Sequence, residues 1–246
     1  MNLNGKTALI TGGGRDIGRA CVMRLAEAGA NVAINYHRSG AGADSAVAEI
    51  GADRAMALQG DMTSEAEVET LVAKTVEKFG KIDIVVHVTG GLVERVKMSE
   101  MPLEHFHKVM NLNLTSNFMI VKAAIPHMSK GGSIINIASQ AGRDGGGPGA
   151  GIYATSKGAV MTMTRAMAKE FAPDIRVNAV NPGMIDTDFH NIFTKDEVRK
   201  NNANNTPLKR EGRSEEVADL VAYLASEEAS FMTGTCVDIN GGLLFS

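Results

Sequence analysis

Thr7-Ala8-Leu9-Ile10-Thr11-Gly12-Gly13-Gly14-Arg15-Asp16-Ile17-Gly18 is the stretch that decides the fold. Its first five residues have the length and apolar character of a buried strand, and Ala20 to Ala28 carries a helical pattern that stops at Gly29. A glycine-rich turn between a strand and a helix brings backbone N–H groups and the helix N-terminus up to an anion, the way a dinucleotide pyrophosphate is held. Val32 to Asn35 then supplies the second strand of a βαβ unit. Glycine-rich turns also merely reverse a chain, so the surrounding strand-turn-helix-strand order carries the phosphate reading.

The alternation continues outward. Helical patterns at Ser45–Ile50, Glu65–Phe79, Leu103–Met128, Ile152–Phe171 and Ser214–Ala225 (Ser214 as N-cap) alternate with strand patterns at Ala55–Leu58, Ile82–Val86, Ser133–Ile137, Ile175–Val180 and Thr235–Ile239. Strands apolar on both faces and separated by helices predict a single α/β domain, a parallel sheet of about seven strands covered on both sides. Ligands of such sheets lie beyond the carboxyl ends of the strands, where Gly12, Gly90, Ser139 and Gly183 fall.

The 25 Lys and Arg against 28 Asp and Glu give no electrostatic case for nucleic acid or an anionic membrane. A small molecule is the expected partner. Cys21 and Cys236 have no metal-ligand or redox spacing and are read as buried small side chains, which suits a reducing compartment. The chain moves from Met1 straight into a strand without an apolar leader, and no apolar run nears membrane length, so a soluble, cytoplasmic protein is expected.

Within the Ile152–Phe171 helix, Tyr153 and Lys157 stand at i and i+4 on one face, and Ser139 lies fourteen residues upstream of Tyr153. A free tyrosine has a pKa of about 10, so acid–base work at neutral pH calls for a nearby cation. Lys157 can be that cation. Taken alone, the two residues read as an ordinary surface pair, and only the rest of the chain reverses that reading.

Ser139, Tyr153-x-x-x-Lys157, Asn181-Pro182-Gly183 and the glycine-rich turn, in that fold order, resemble the short-chain dehydrogenase/reductase family, including its 3-oxoacyl-carrier-protein reductase-like members, from Lys6 to Gly242. The resemblance implies a Rossmann-type, doubly wound domain over residues 1–246 with a substrate lid near 188–209. It implies Tyr153 as acid/base, Lys157 as the group that tunes it and holds the nicotinamide ribose, Ser139 on the substrate oxygen, and Asn113 in the proton relay. It also implies a dinucleotide bound by Gly12, Gly14, Arg15, Asp16, Ile17, Gly18, Tyr36, His37, Arg38, Asp61, Met62, Thr89, Gly90, Tyr153, Lys157, Pro182, Gly183, Ile185 and Thr187. Read singly, Asn113 can cap a helix and Asp61 can close a turn.

Three departures matter. Asp16 stands where the family pattern T-G-x-x-x-G-x-G has its second glycine, and a carboxylate beside a pyrophosphate is unfavourable unless it turns outward, caps a helix or pairs with Arg15. His87-Val88-Thr89-Gly90 replaces the family's N-N-A-G, and His87 is read as structural. Tyr36 ends the second strand where NAD-users carry an aspartate, so with Arg15 and Arg38 nearby NADP(H) is expected over NAD(H).

The activity expected is interconversion of a ketone and a secondary alcohol, either 3-oxoacyl reductase-like or on a small polar, sugar-type ketone. An NAD-dependent alcohol or polyol dehydrogenase and a catalytically silent nucleotide-binding regulator are the alternatives. Carrier docking is weakened by Ala172-Pro173-Asp174 and by the single lysine of Ser129-Lys130-Gly131-Gly132. Gln140, Arg143 and His190 are the candidate substrate contacts, with Arg95, Asp144 and the lid residues Asn201, Asn202, Asn204 and Asn205 adding polarity around the pocket. The apolar circumference of the Leu103–Met128 and Ile152–Phe171 helices points to a homotetramer or homodimer.

Overall fold

The structure, a computed structural model, describes residues 1–245; Ser246, the last residue of the expected domain, lies outside the described residues. Seven strands, β1 (Thr7–Thr11), β2 (Asn31–Tyr36), β3 (Ala55–Gln59), β4 (Ile82–His87), β5 (Met128–Ile137), β6 (Ile175–Pro182) and β7 (Cys236–Ile239), form one sheet in the order β3-β2-β1-β4-β5-β6-β7. Every pairing is parallel. The strand order reverses between β1 and β4, which opens a crevice at the carboxyl edge there.

The helices are α1 (Asp16–Glu27), α2 (Gly40–Ile50), α3 (Glu65–Phe79), α4 (Leu103–Met110), α5 (Ser116–Ala124), the single turn α6 (Ala141–Asp144), α7 (Gly151–Phe171), α8 (Asp188–Phe193), α9 (Asp196–Asn205) and α10 (Ser214–Ala225). Side chains alternate across the strands and bury on opposite faces. Ala8, Ile10, Ile84 and Val86 pack with Val22 and Leu25 of α1 and Val217 and Val221 of α10. Leu9, Ile82 and Val85 pack with Val68 and Val72 of α3, Ile120 of α5 and Met167 of α7. Fully burying each such Val, Leu or Ile stabilises the fold by roughly 1.5–3 kcal/mol before chain entropy is charged.

The structure corrects several boundaries. α1 begins at Asp16, inside the glycine-rich turn, rather than at Ala20, and α2 begins at Gly40 rather than Ser45. Ser214 is the first residue of α10 rather than its cap; Arg213 is the N-cap, and its N–H donates to the Glu216 carboxylate at 2.7 Å. The expected continuous helix Leu103–Met128 is interrupted by a π turn at Asn111–Thr115 and closed by a 3-10 turn before β5. The stretch between β6 and α10, irregular in pattern, folds as α8 and α9. Cys21 is buried in the core, whereas Cys236 is only half-buried.

The α5 and α7 surfaces expected to meet a second copy carry an apolar groove lined by Leu114, Phe118, Ala159, Met163 and Ala166. No helix among the described residues is long and apolar enough to cross a membrane.

His87 ties the centre of the sheet together. It is 1% exposed, its Nδ1 lies 3.0 Å from the Thr11 hydroxyl of β1 and its Nε2 lies 3.1 Å from the Ser116 hydroxyl of α5. Burial, with a smaller push from Lys157, lowers its pKa from 6.5 to about 3. The unfolded chain therefore takes up a proton below about pH 6.5 that the folded ring refuses until about pH 3, and stability falls as pH falls through that window. Urea unfolding at about pH 7 and about pH 5 should show His87→Asn losing about 2 kcal/mol less than the wild type; equal losses would remove His87 from the acid limb.

Candidate active site

The site is assembled at the carboxyl edge from the ends of β1, β4, β5 and β6. At β1, the chain leaves Thr11 through Gly12, whose φ of +66° carries the backbone into α1. A Cβ on Gly18 would stand 2.0 Å from the Gly12 carbonyl oxygen, so only glycine lets α1 start this close to the turn. No side chain caps α1, and the N–H groups of its first turn, at Asp16, Ile17 and Gly18, have no intrahelical acceptor. These donors and the positive helix end suit a pyrophosphate.

Asp16 occupies the left-handed region at φ +49°. Its carboxylate turns outward and accepts from the Asp188 N–H at the start of α8, at 3.3 Å. Partial burial and the Asp188 charge raise its pKa, opposed by that N–H and by Arg15. Arg15 Nη1 lies 3.1 Å from the Asp188 carboxylate and 3.8 Å from that of Asp16. Arg15 is thus directed to α8, leaving exposed Arg38 as the cation after β2, beside exposed His37.

Asp61, the expected adenine contact, lies beyond β3. Burial works against it, yet the N–H and hydroxyl of Thr63, with His37 and Arg38, hold the Asp61 carboxyl below its ordinary range. The Met62 side chain lies in the core, so it offers no side-chain contact to a dinucleotide. Thr89 approaches Gly12 closely, Ile185 is buried, and the Thr187 hydroxyl donates to the Ile185 carbonyl at 3.1 Å.

Around Tyr153 the groups interlock. Lys157 is 4% exposed and its Nζ donates to the Ile137 carbonyl at the end of β5, at 2.7 Å. It lies 5.8 Å from the Tyr153 ring centroid. Burial lowers the Lys157 pKa from 10.5 to about 8. Burial also raises that of Tyr153, against a hydrogen bond with Ser139. Ser139 Oγ in turn accepts from the Ala141 N–H at 3.1 Å. Asn113, in the π turn, accepts from the Gly91 N–H and donates to the Gly91 and Val109 carbonyls, each at 2.9 Å. Its side chain is consumed in holding the loop after β4.

Among the expected substrate residues, Arg143 is held against β7, 3.2 Å from the Asp238 carboxylate and donating to the Cys236 carbonyl at 3.1 Å. It is a brace, not a free cation. His190 Nδ1 pairs with the Thr194 hydroxyl at 2.9 Å, and burial lowers its pKa to about 4, so it is neutral. Gln140 donates to Asp144, while its Oε1 is buried without a partner beside Gly183. Asn201, Asn204 and Asn205 are exposed on α9 and Asn202 is half-buried.

The sequence reading missed an aromatic cover. Phe189 of α8 lies 5.7 Å from Tyr153 and 5.2 Å from Phe193 between ring centroids. Arg95 clamps this cover, donating to the Phe193 carbonyl at 2.9 Å and to the Pro148 carbonyl, between α6 and α7, at 2.8 Å. Arg199, bonded to Asp186 and Glu211, fixes the base of the segment. Two phenylalanines in so aromatic-poor a chain, following N-P-G, were the available signal.

A family model described as enoyl-(acyl carrier protein) reductase matches residues 12–244. Glucose 1-dehydrogenase 2 of Bacillus subtilis is 36% identical over 98% of this chain and 96% of its own. The 3-oxoacyl-[acyl-carrier-protein] reductase of Synechocystis is 37% identical over 98% of each. A short chain dehydrogenase from Burkholderia cenocepacia, solved in complex with NADP, superposes with a TM-score of 0.91 at 33% identity over 99% of both chains.

Gly90 supplies a test of the interlock. A Cβ there would stand 2.6 Å from Asn113 Oδ1 and 3.0 Å from Lys157 Nζ. The 2.6 Å approach to Asn113 Oδ1 cannot be kept, so the Asn113 bonds that pin the loop after β4 must give way, and Lys157 beside them shifts. Gly90→Ala should keep its circular dichroism spectrum and lose about 100-fold in kcat; unchanged steady-state turnover would refute the interlock.

Proposed function

The chain belongs to the short-chain dehydrogenase/reductase family and is an oxidoreductase of CH–OH and carbonyl groups, and on that premise we propose that it interconverts a small, untethered ketone and its secondary alcohol with NADP(H). The single observation that carries the chemistry is the Tyr153, Ser139 and Lys157 constellation beside an uncapped helix N-terminus at the strand-order switch. A nicotinamide dinucleotide held along Gly12–Gly18, Asp61 and Gly183–Thr187 supplies or accepts the hydride.

The chain's own residues manage the oxygen and its proton. In reduction, the substrate oxygen gathers negative charge within reach of the Ser139 hydroxyl and the Tyr153 phenol. Tyr153, kept neutral by burial, donates its proton there. The Lys157 ammonium stabilises the phenolate left behind and passes a proton on. A π turn leaves a main-chain carbonyl without its usual partner, so the Asn111–Thr115 segment can hold a relay water while the Asn113 side chain keeps the loop in place. Phe189 excludes bulk water from Tyr153.

A small substrate with a hydroxyl beside the carbonyl fits best. Buried Gln140 Oε1 lacks a donor, which such a hydroxyl provides. Lys130 is taken up by Asp174 at 3.5 Å, which speaks against an acidic carrier docking there. Assayed with NADPH, small hydroxyketones and polyols should turn over better than acetoacetyl thioesters. Tyr153→Phe should bind NADPH but not turn over. Because Lys157 loses its proton above about pH 8, carbonyl reduction should fall through that pH. Thioester preference would sink the substrate class, and wild-type protein that binds without turnover would sink catalysis.

Preference for NADP(H) is supported by Tyr36 in place of an acid and by exposed His37 and Arg38 after β2. With Arg15 engaged at Asp188, the 2′-phosphate falls to Arg38. Arg38→Ala should lower kcat/KM for NADPH about tenfold or more and leave that for NADH within about twofold; a parallel loss with both would overturn this.

A further inference from the structure

The contact between Asp16 and α8 joins the dinucleotide turn to the cover of the catalytic tyrosine. Three facts give it meaning. Asp16 accepts left-handed backbone at φ +49°, a conformation that glycine adopts freely and an aspartate adopts at some cost. Its carboxylate, in return, satisfies the Asp188 N–H, one of the donors that the first turn of α8 cannot pair internally. Arg15 then lies between the two carboxylates, 3.1 Å from Asp188 and 3.8 Å from Asp16, and offsets the repulsion of two acids brought together.

The next residue after Asp188 is Phe189, 5.7 Å from Tyr153. Whatever fixes the Asp188 backbone therefore fixes the ring that shields the proton donor. The α8 segment has a second tether, Arg95 on the Phe193 carbonyl at its far end. Asp16 holds the backbone of the near end, where Arg15 holds the Asp188 side chain.

We propose that Asp16 is a positioning residue, a clasp that fastens α8 to the dinucleotide turn and so sets Phe189 over Tyr153. The carboxylate that looked like an obstacle to the pyrophosphate is committed to the lid, and the N–H groups of the α1 first turn stay free for phosphate. The inference rests on the family reading for what α8 covers, and its main readout does not need turnover.

Hydrogen exchange of the Asp188–Phe193 amides in the ligand-free protein tests it directly. Asp16→Gly, which relieves the backbone and keeps the fold, should exchange in this segment about fivefold faster, while the amides of α1 beyond its first turn hold their protection. Asp16→Asn should restore protection, because its amide oxygen accepts from the same N–H. Carbonyl KM should rise in Asp16→Gly and recover in Asp16→Asn. Unchanged exchange in Asp16→Gly, or failure of Asp16→Asn to restore it, overturns the clasp. Absence of NADPH binding by the wild type counts against the proposed cofactor and leaves the exchange result to decide the clasp.

Discussion

The Lys157 ammonium has lost nearly all its water and keeps one close acceptor, the Ile137 carbonyl at 2.7 Å. A charge so placed is costly unless its surroundings are arranged for it. Much of the carboxyl edge follows from that arrangement. β5 must end where its last carbonyl meets α7, position 90 must lack a side chain, and the loop after β4 must be pinned by Asn113 so that it does not fall into the space. The same burial that lowers the Lys157 pKa raises that of Tyr153, so a phenol able to donate and an ammonium able to stabilise its conjugate base coexist at neutral pH.

Regular structure is broken where the chemistry needs it broken. The helical stretch after α4 opens into a π turn at Asn113, and α1 starts on a left-handed aspartate. Between them His87 links β1, β4 and α5 through two hydroxyls, a bracing role that a side chain with two hydrogen-bonding ends performs across a wider gap than one hydroxyl could. The cover is held at one end by Asp16 and Arg15, at the other by Arg95, and at its base by Arg199.

Polar residues near the mouth show where pattern reading stops. Arg143, His190 and the α9 asparagines share a polar character in the sequence, yet one braces β7, one is a neutral partner of Thr194, and three of the four asparagines face solvent. Gln140, of these candidate contacts, keeps a buried atom without a partner. What separates them is the partner within about 3 Å, distant in the chain for Arg143 but four residues away for His190 and Gln140, and side-chain orientation decides which partner is met.

By itself the sequence determined the alternation of strands and helices, the parallel two-faced sheet and the gathering of Gly12, Gly90, Ser139 and Gly183 on one edge. Those follow from periodicity and from glycine at turns, which are local properties of the chain. It also placed Tyr153 and Lys157 on one helix face, because four residues make about one turn. Only the tertiary structure decided that Lys157 is buried and donates to Ile137, that the helix opens at Asn113, that Phe189 covers Tyr153, and that Asp16 spends its charge on α8. Each of these depends on desolvation and on hydrogen bonds between segments as far apart as residues 16 and 188, and no local pattern encodes which buried group will meet which partner.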